Sequence, residues 1–248
     1  MSMSIPSTQS SQNTLNALNR STAELNNSIE RLSTGRRINR SADDASGLII
    51  GNILDGQTRG MGQMIRNLND SISMVQISDS SLGNATGIVQ GIRETALQAG
   101  SGSLTQEDRM ALQSSVNDSV NALGDLYKTT TYNGQQLLLE APGLAGLKDL
   151  DLTTPEGAQA AIQTIDTALG DILSARSQSG SLQNQLASQV SGLQDTLAAT
   201  QASQSNTMDV DIAEEAMNMK KMEGLRKANL FVLAQSRTRT DAIASLLA

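Results

Sequence analysis

The chain has 248 residues, of which only 38% are hydrophobic and 1% aromatic, so a conventional globular core would be thin and long helices sharing narrow seams are favoured. Because the chain contains neither His nor Cys, it lacks the common zinc ligands, the usual general base and a thiol nucleophile. We therefore expect no enzyme, no catalytic or metal residue and no cofactor. The formal net charge of −7 argues against nucleic acid as a partner.

The charges are distributed unevenly along the chain. Residues 1–40 carry five Arg against two Glu, residues 212–248 carry six basic against four acidic residues, and the part between them carries seven against nineteen. Two basic ends therefore flank an acidic body. The longest apolar cluster, at residues 48–54, is too short to span a bilayer, and no basic region followed by an apolar stretch precedes it. We expect no membrane partner and, if the chain is secreted, no cleaved signal peptide.

The first 40 residues are predicted to form a helix with one apolar stripe. The stripe keeps a strict 3-4 spacing that only Thr22 interrupts, and Gly35 follows it as an expected C-terminal stop. Its members are Leu15, Leu18, Leu25, Ile29 and Leu32.

A second helix is predicted over about residues 41–100. It begins at Ser41, where Asp43 and Asp44 favour the positive end of the helix dipole. A heptad seam runs from residue 61 to residue 96, and its charged exceptions, Asp79 and Arg93, predict a seam that is only partly buried. The apolar residues of this seam that we expect to pack against other helices are Leu68, Ile72, Val75, Leu82 and Val89.

A shorter helix is predicted over about residues 104–128, opened by a capping box at Thr105 and Asp108. The hydrophobic period then changes. Asn133-Gly134 is typical of a tight turn, and residues 135–140 and 147–153 are predicted to be short strands. We therefore expect a small hairpin over about residues 133–153.

Residues 153–156, TTPE, combine a hydroxyl cap, an early Pro and a Glu, which predicts a helix over about residues 155–202. A seam of this length must face other long helices, most simply the preceding two in an antiparallel arrangement, and this assigns residues 41–205 to a rod domain. The seam residues are Ile162, Ile165, Leu169, Ile172, Leu186, Val190, Leu193 and Leu197.

Residues 206–248 are predicted to form a last amphipathic helix outside the rod. Its apolar residues are Ile212, Met219, Met222, Leu225, Leu230, Leu233 and Leu246. A lone helix with one apolar stripe is marginal in water, so we expect the two terminal segments to pair and to be buried further against copies of the chain. Two alternatives stay open on pattern alone: an intramolecular bundle and a membrane-surface helix.

Several motifs resemble those of one protein family. Residues 29–39 read IERLSTGRRIN and residues 43–47 read DDASG, which together are similar to the N-terminal signature of bacterial flagellins. The similarity continues in NLNDSIS at 67–73, RETALQ at 93–98 and YNG at 132–134. It resumes in DVDIAEE at 209–215 and in the ending from VLAQ at 232–235.

This resemblance implies a mainly α fold: an elongated antiparallel helical bundle or coiled coil with a small β-hairpin, plus paired terminal helices that form an inner core. It implies a structural subunit that polymerises into the flagellar filament for swimming motility, outside the cell, without the variable outer domains of longer flagellins. The implied partners are the chain itself, the flagellar type III export apparatus, an export chaperone on the C-terminal segment, the filament cap and hook-associated proteins. The related hook-filament junction protein is the alternative.

The resemblance also implies a weakened face for the flagellin-sensing Toll-like receptor. The helix face that this receptor uses resembles residues 90–98, where Arg93 and Glu94 match. Gly91 and Thr95 stand where the recognised pattern has Arg and Leu, and Ser115 stands in place of a receptor-binding Glu. The lost charge-assisted donor and apolar contact predict weak recognition.

Overall fold

The computed structural model describes residues 6–138 and 144–247; for residues 6–8, 10 and 239–247 it describes the backbone alone. This part of the chain is mainly helical, with one small antiparallel sheet, which confirms the predicted fold class. The elements are α1 (Pro6–Thr34), α2 (Ala45–Ala99), α3 (Gln106–Thr129), β1 (Thr131–Tyr132), β2 (Gln135–Gln136), α4 (Leu144–Leu147), α5 (Pro155–Met208) and α6 (Ile212–Leu247).

The chain divides into two compact units. The first comprises Met1–Gly60 and Leu197–Ala248, and the second comprises Met61–Thr196. The first unit therefore holds α1 and α6 together with the beginning of α2 and the end of α5. It also includes residues 41–60 and 197–205, which lie inside the rod domain as assigned from the sequence.

The connection from α1 to α2 is longer than expected. Helix α1 ends at Thr34, and Gly35 adopts the positive φ of 70° that favours glycine at a helix C-terminus. Helix α2 begins at Ala45 rather than at Ser41, because Asp44 acts as its cap and accepts a hydrogen bond from the Gly47 N–H at 2.9 Å. Residues 41–44 form a turn before the helix.

Helix α3 opens with the predicted capping box. The Thr105 hydroxyl accepts from the Asp108 N–H at 3.2 Å, and the Asp108 carboxylate accepts from the Thr105 N–H at 3.1 Å. After α3, the Asn133-Gly134 turn places both residues at positive φ, 49° and 78°, which matches the twist of a two-residue hairpin. The turn joins β1 to β2, and Tyr132 pairs with Gln135.

The prediction of two strands over residues 135–140 and 147–153 was wrong in the described part. Strand β2 covers only Gln135–Gln136 and pairs with β1, while residues 139–143 lie outside the described residues. Residues 147–153 form no strand, although Leu150 and Leu152 are buried in alternation. The Gln113 side chain donates to the Leu150 carbonyl at 2.9 Å and accepts from the Leu152 N–H at 2.7 Å. This one side-chain amide therefore satisfies backbone groups that a neighbouring strand would otherwise satisfy.

Helix α5 begins at Pro155 as predicted but extends to Met208, beyond the expected end near residue 202. Thr154 caps its start by accepting from the Gly157 N–H at 3.0 Å. The sequence after residue 200 is polar and loosely patterned, yet the helix continues through it to Met208, whose buried side chain packs against α2 at Gly51. Asp209 interrupts it, and Asp211 caps α6 by accepting from the Ala213 and Glu214 N–H groups at 2.8 and 3.1 Å.

The core of the second unit is packed between α2, α3, α4 and α5. Predicted seam residues contribute four fully buried side chains to it, namely Leu82, Val89, Ile165 and Ile172. The other predicted seam residues are half-buried: Leu68, Ile72, Val75, Ile162, Leu169, Leu186, Val190, Leu193 and, in the first unit, Leu197.

The charged exceptions in the α2 seam pair with α5. Arg176 lies 3.2 Å from Asp79, and Arg93 lies 2.7 Å from Asp166. Because the earlier residue of α2 meets the later residue of α5, these ion pairs lie between antiparallel helices. Both pairs are half-exposed, so they contribute more to helix register than to stability.

Candidate polymerisation surface

Helices α1 and α6 pack against each other in the first unit, as an antiparallel pair. The Ser28 hydroxyl donates to the Glu215 carboxylate at 2.5 Å, and at the other end of the pair the Ser11 and Ser236 hydroxyls lie 2.5 Å apart. Ser28 and Glu215 are both buried, so the hydrogen bond satisfies a carboxylate that would otherwise be costly to bury.

The stripe of α1 that meets α6 is rotated by about one position from the predicted one. Buried Ser21 and Ser28 lie in the contact, together with Leu25, whose side chain is only 7% exposed. Leu15, Leu18 and Leu32 are half-buried, whereas Ile29 remains 49% exposed. Within the single chain, Ser21 and Ser28 therefore occupy the line that meets α6, because serine hydroxyls that find partners are as suitable for a helix seam as small apolar groups. The role of the predicted apolar residues in packing between copies stays a prediction.

The predicted residues of α6 are divided between different sides of the helix. Met219, Met222 and Leu233 are half-buried, whereas Ile212, Leu225 and Leu230 are exposed. The side chain of Leu246 lies outside the described residues. Sequence reasoning missed Met217 and Phe231, which are 68% and 71% exposed. A search for large apolar residues outside the main stripe would have found them.

The segments that lead out of α1 and into α6 are joined by backbone hydrogen bonds. The Arg37 N–H donates to the Met208 carbonyl at 2.7 Å, and the Val210 N–H donates to the Gly35 carbonyl at 3.0 Å. Arg36 and Asp209 form the isolated bridge between these bonds. The buried side chains of Ile38 and Met208 lie under the bridge against the first turns of α2, so the α1–α6 pair has a defined base.

Ionic contacts hold the turn before α2. The Asp43 carboxylate accepts from the Asn39 and Arg40 N–H groups at 3.0 and 2.9 Å, and these hydrogen bonds lower its pKa from the ordinary value. Arg31 lies 3.8 Å from Asp43 and 3.9 Å from Glu215, and Arg40 forms a 2.6 Å ion pair with Glu30. Two of the five Arg of residues 1–40, Arg31 and Arg40, are therefore engaged by carboxylates of the same unit.

The matched residues of the expected receptor face lie on α2 in the second unit. Arg93 donates to Asp166, and the hydrogen bond raises the pKa of its guanidinium. Glu94 is exposed. The structure thus leaves one of the two matched side chains committed to α5.

The described residues contain neither of two common kinds of functional site. Among them no group of three or more acidic side chains is placed to hold a metal ion, and no helix in that part of the chain has the length and apolarity to cross a membrane. What the first unit does offer is exposed apolar surface on paired helices, which suits contact with another protein surface.

Comparison with known proteins gives a consistent result. Residues 5–141 match the family model described as the bacterial flagellin N-terminal helical region, and residues 162–247 match the flagellin C-terminal helical region. A flagellin of Halalkalibacterium halodurans is 32% identical over 245 residues, covering 88% of this chain and 90% of the relative. The flagellar filament 33 kDa core protein of Treponema phagedenis is 30% identical over 260 residues, covering 88% and 91%.

Among solved structures, a crystal structure of Bacillus cereus flagellin is similar over 52% of this chain and 88% of that chain, with 20% identity and a TM-score of 0.48. The family assignment rests on the sequence matches, which include both helical regions and span most of the chain and of its relatives. The chain belongs to the bacterial flagellin family.

Proposed function

We propose that this flagellin is a structural subunit that polymerises into the bacterial flagellar filament, and that the α1–α6 pair carries the polymerisation. The chain is not an enzyme. The single observation that supports the role of the pair is the exposure of large apolar side chains on α1 and α6 in the isolated chain, Ile29 and Phe231 among them.

Helix α6 has large apolar residues on two opposite sides. Leu233 lies on the side of α1, while Phe231, two residues before it, and Met217, sixteen residues before it, lie on the opposite side at 100° per residue. The apolar residues on the side away from α1 are covered only when a further surface packs there. Burial of one large apolar side chain contributes about 1.5 to 3 kcal/mol, so burial of several such residues per copy favours assembly.

The predicted division of the chain follows from this role. Residues 1–40 and 206–248 are the inner-core segments, with Leu15, Leu18, Leu25, Ile29 and Leu32 on one and the apolar residues of α6 on the other. Residues 41–205 are the rod. Relatives named as filament core proteins favour the filament subunit over the hook-filament junction protein.

A place in the flagellum follows from the family, and we extend it to an extracellular subunit that is exported without a cleaved signal peptide through the type III apparatus. The partners in this scheme are an export chaperone on the C-terminal segment, the filament cap and the hook-associated proteins. Recognition by the flagellin-sensing receptor is weak for two reasons. Arg93 is engaged by Asp166. Gly91 and Thr95 replace the Arg and Leu that accompany Arg93 and Glu94 in the recognised pattern.

Polymerisation is tested by seeding purified chain with short filament fragments and examining the product by electron microscopy. Long helical tubes are expected. Ile29→Asn should raise the protein concentration needed for growth about tenfold, because a polar group would be buried at the contact between copies. Leu173→Asn is the matched control, since Leu173 is equally exposed but lies on α5 in the second unit. A chain that stays monomeric under seeding would contradict the proposed function.

A further inference from the structure

The side of α6 that meets α1 contains many polar residues. Seven positions from Glu215 to Ser236 follow a 4-3 spacing along this side, and each of them is buried or half-buried. Four of the seven are polar or charged, namely Glu215, Arg226, Asn229 and Ser236. The Arg226 Nε is buried and finds no hydrogen-bond partner among the described residues. Contact through this side of α6 therefore has a cost that an apolar seam would avoid.

The side of α6 away from α1 offers apolar side chains of its own. Met217 and Phe231 lie there, and exposed Leu225 and Val232 lie at its edge. Apolar side chains of α1 such as Leu25 would thus find apolar partners on either side of α6. Hydrophobicity alone does not explain which side of α6 meets α1.

Glu215 is buried in the contact although the start of α6 does not require it. Its side chain accepts from the Ser28 hydroxyl at 2.5 Å and lies 3.9 Å from Arg31. The neighbouring Glu214 also lies in the first turn of α6 and is exposed, so it interacts with the positive end of the helix dipole without being buried. The burial of Glu215 therefore indicates a role in the contact with α1.

The partners of Glu215 occur at one position along the contact line of α1. Ser28 and Arg31 are three residues apart, so both reach the same side of the helix. One heptad earlier, the corresponding residues are Ser21 and Glu24, so a slip of α1 by seven residues would bring a second carboxylate to Glu215. A buried carboxylate is tolerated beside a hydroxyl and a cation, but it is costly beside another carboxylate or an apolar surface.

The backbone bridge at the base of the pair does not provide this selectivity. Arg36 and Asp209 are joined there through main-chain groups, which are the same in nearly all residues. The bridge fixes where α6 begins, at Ile212. Which side of the helix turns toward α1 depends on side chains further along it.

We propose that Glu215 is the positioning residue that determines which side of α6 meets α1 and at which register, with Ser28 and Arg31 as its counterparts. The inference rests on the proposed function, because this orientation of α6 keeps Phe231 outward on the surface that other copies would cover. A single buried polar group in a helix pair is known to set alignment at a cost in stability. Loss of the Glu215 contacts should therefore change the orientation of α6 rather than unfold the helices.

Cysteine pairs can report the orientation of α6, because the chain has no Cys of its own. The Ser11 and Ser236 hydroxyls lie 2.5 Å apart, so Ser11→Cys with Ser236→Cys, the native pair, should form a disulfide within one chain. Ser11→Cys with Gln235→Cys is the rotated pair, since Gln235 is exposed on the side of Phe231. Oxidation rates are measured in the free chain and in seeded filaments by migration on non-reducing denaturing gels.

Two buried serines of α1 supply a variant and its matched control. Ser28 and Ser21 are each 5% exposed, but the Ser28 hydroxyl bonds to Glu215, whereas the Ser21 hydroxyl bonds to the Leu18 carbonyl of its own helix. Ser28→Ala should lower the ratio of native-pair to rotated-pair oxidation rates about tenfold, because a buried carboxylate loses its donor. Ser21→Ala should leave this ratio unchanged.

A reversed charge pair separates positioning from general stability. Arg31→Glu brings a carboxylate to Glu215 and should also lower the ratio, and the further change Glu215→Arg should restore it. Arg20→Glu, which changes an exposed arginine of the same helix, is the control and should have no effect. A loss that the double variant fails to restore would assign the role of Arg31 to its other neighbour, Asp43, and would overturn the inference.

Three further results would also overturn the inference. The first is a native pair that fails to oxidise in the otherwise unmodified chain, both free and in filaments. The second is an equal ratio in Ser28→Ala and Ser21→Ala. The third is a disulfide-linked dimer from the native pair, because it would place α6 of another copy on α1. A chain that never polymerises would contradict the proposed function, whereas the ratios in the free chain would still decide the role of Glu215.

Discussion

The core of the second unit and the α1–α6 pair are both built from helix against helix, yet they bury their side chains to different extents. Eighteen of the described residues form the buried core of the second unit, among them Val89, Leu123 and Ile165, which are completely enclosed. On α1 and α6, the buried residues among those whose side chains are described are Ser21, Leu25, Ser28 and Glu215. The largest apolar side chains of that pair face outward instead.

The difference indicates where each region obtains its stability. The second unit encloses an apolar core within one chain, as a core must, although side chains such as Met110 and Leu173 remain exposed on its surface. The α1–α6 pair has polar groups in its contact and leaves large apolar groups exposed. The core of the second unit is therefore complete in the single chain, and the exposed apolar surface of the pair is the part that we propose is covered in a polymer.

The largest expected effect comes from removing one helix of the pair. Deletion of residues 212–248 should abolish filament growth, because both the α1 partner and the outer apolar surface are lost. The second unit should keep its helices, since none of the described residues of its core belongs to α6. Circular dichroism and seeded growth followed by electron microscopy measure the two effects. Normal filaments from the truncated chain would show that the α1–α6 pair is not needed for assembly.

A matched pair of isoleucine truncations separates the regions. Ile165→Ala removes a side chain with no exposed surface and should destabilise the free chain by about 2 to 5 kcal/mol in urea unfolding. Ile29→Ala removes one that is half-exposed and should cost the free chain less than about 1 kcal/mol, but it should weaken assembly. Equal losses of stability in the two variants would show that α1 belongs to the same self-sufficient core.

The sequence predicted most of what depends on local or periodic signals. Gly35 at the end of α1, the Thr105 capping box and the Asn133-Gly134 turn are each fixed by the chemistry of one or two residues. Residues 147–153 were misassigned because alternating leucines predict a strand, and this pattern does not reveal which groups bond to the backbone. Here the Gln113 amide does so from 39 residues away, a contact that no local pattern reports.

The candidate surface was less predictable than the fold. Apolar spacing identified the correct helices, but the partner-facing line of α1 contains Ser21 and Ser28, which an apolar count ignores. Ser28 contributes to the contact because its hydroxyl bonds to Glu215, which lies 187 residues later in the chain. Phe231 was outside the stripe, and its significance appears only when the outward side of α6 is known.

Alkaline titration tests whether the core of the second unit excludes water from Tyr127. Burial raises the pKa of Tyr127 to about 12, from an ordinary value near 10. Between these values the unfolded chain loses the phenolic proton while the folded chain keeps it, so stability should fall as pH rises, by about 1 to 3 kcal/mol. Urea unfolding of the chain and of Tyr127→Phe at neutral and alkaline pH measures this contribution. An identical alkaline loss in both would indicate that water reaches Tyr127.

The smallest effect is expected at the turn that precedes α2. Hydrogen bonds from the Asn39 and Arg40 N–H groups lower the pKa of Asp43, so its contribution is present above the unfolded value near 4 and is lost as pH falls through the folded value. Asp43→Asn should reduce stability at neutral pH by less than about 1 kcal/mol, because solvent screens this exposed group. Urea midpoints of the two chains should converge once the pH falls below the lowered pKa of Asp43 in the folded chain. A difference that persists in acid would mean that Asn39 and Arg40 are held by shape rather than by the charge of Asp43.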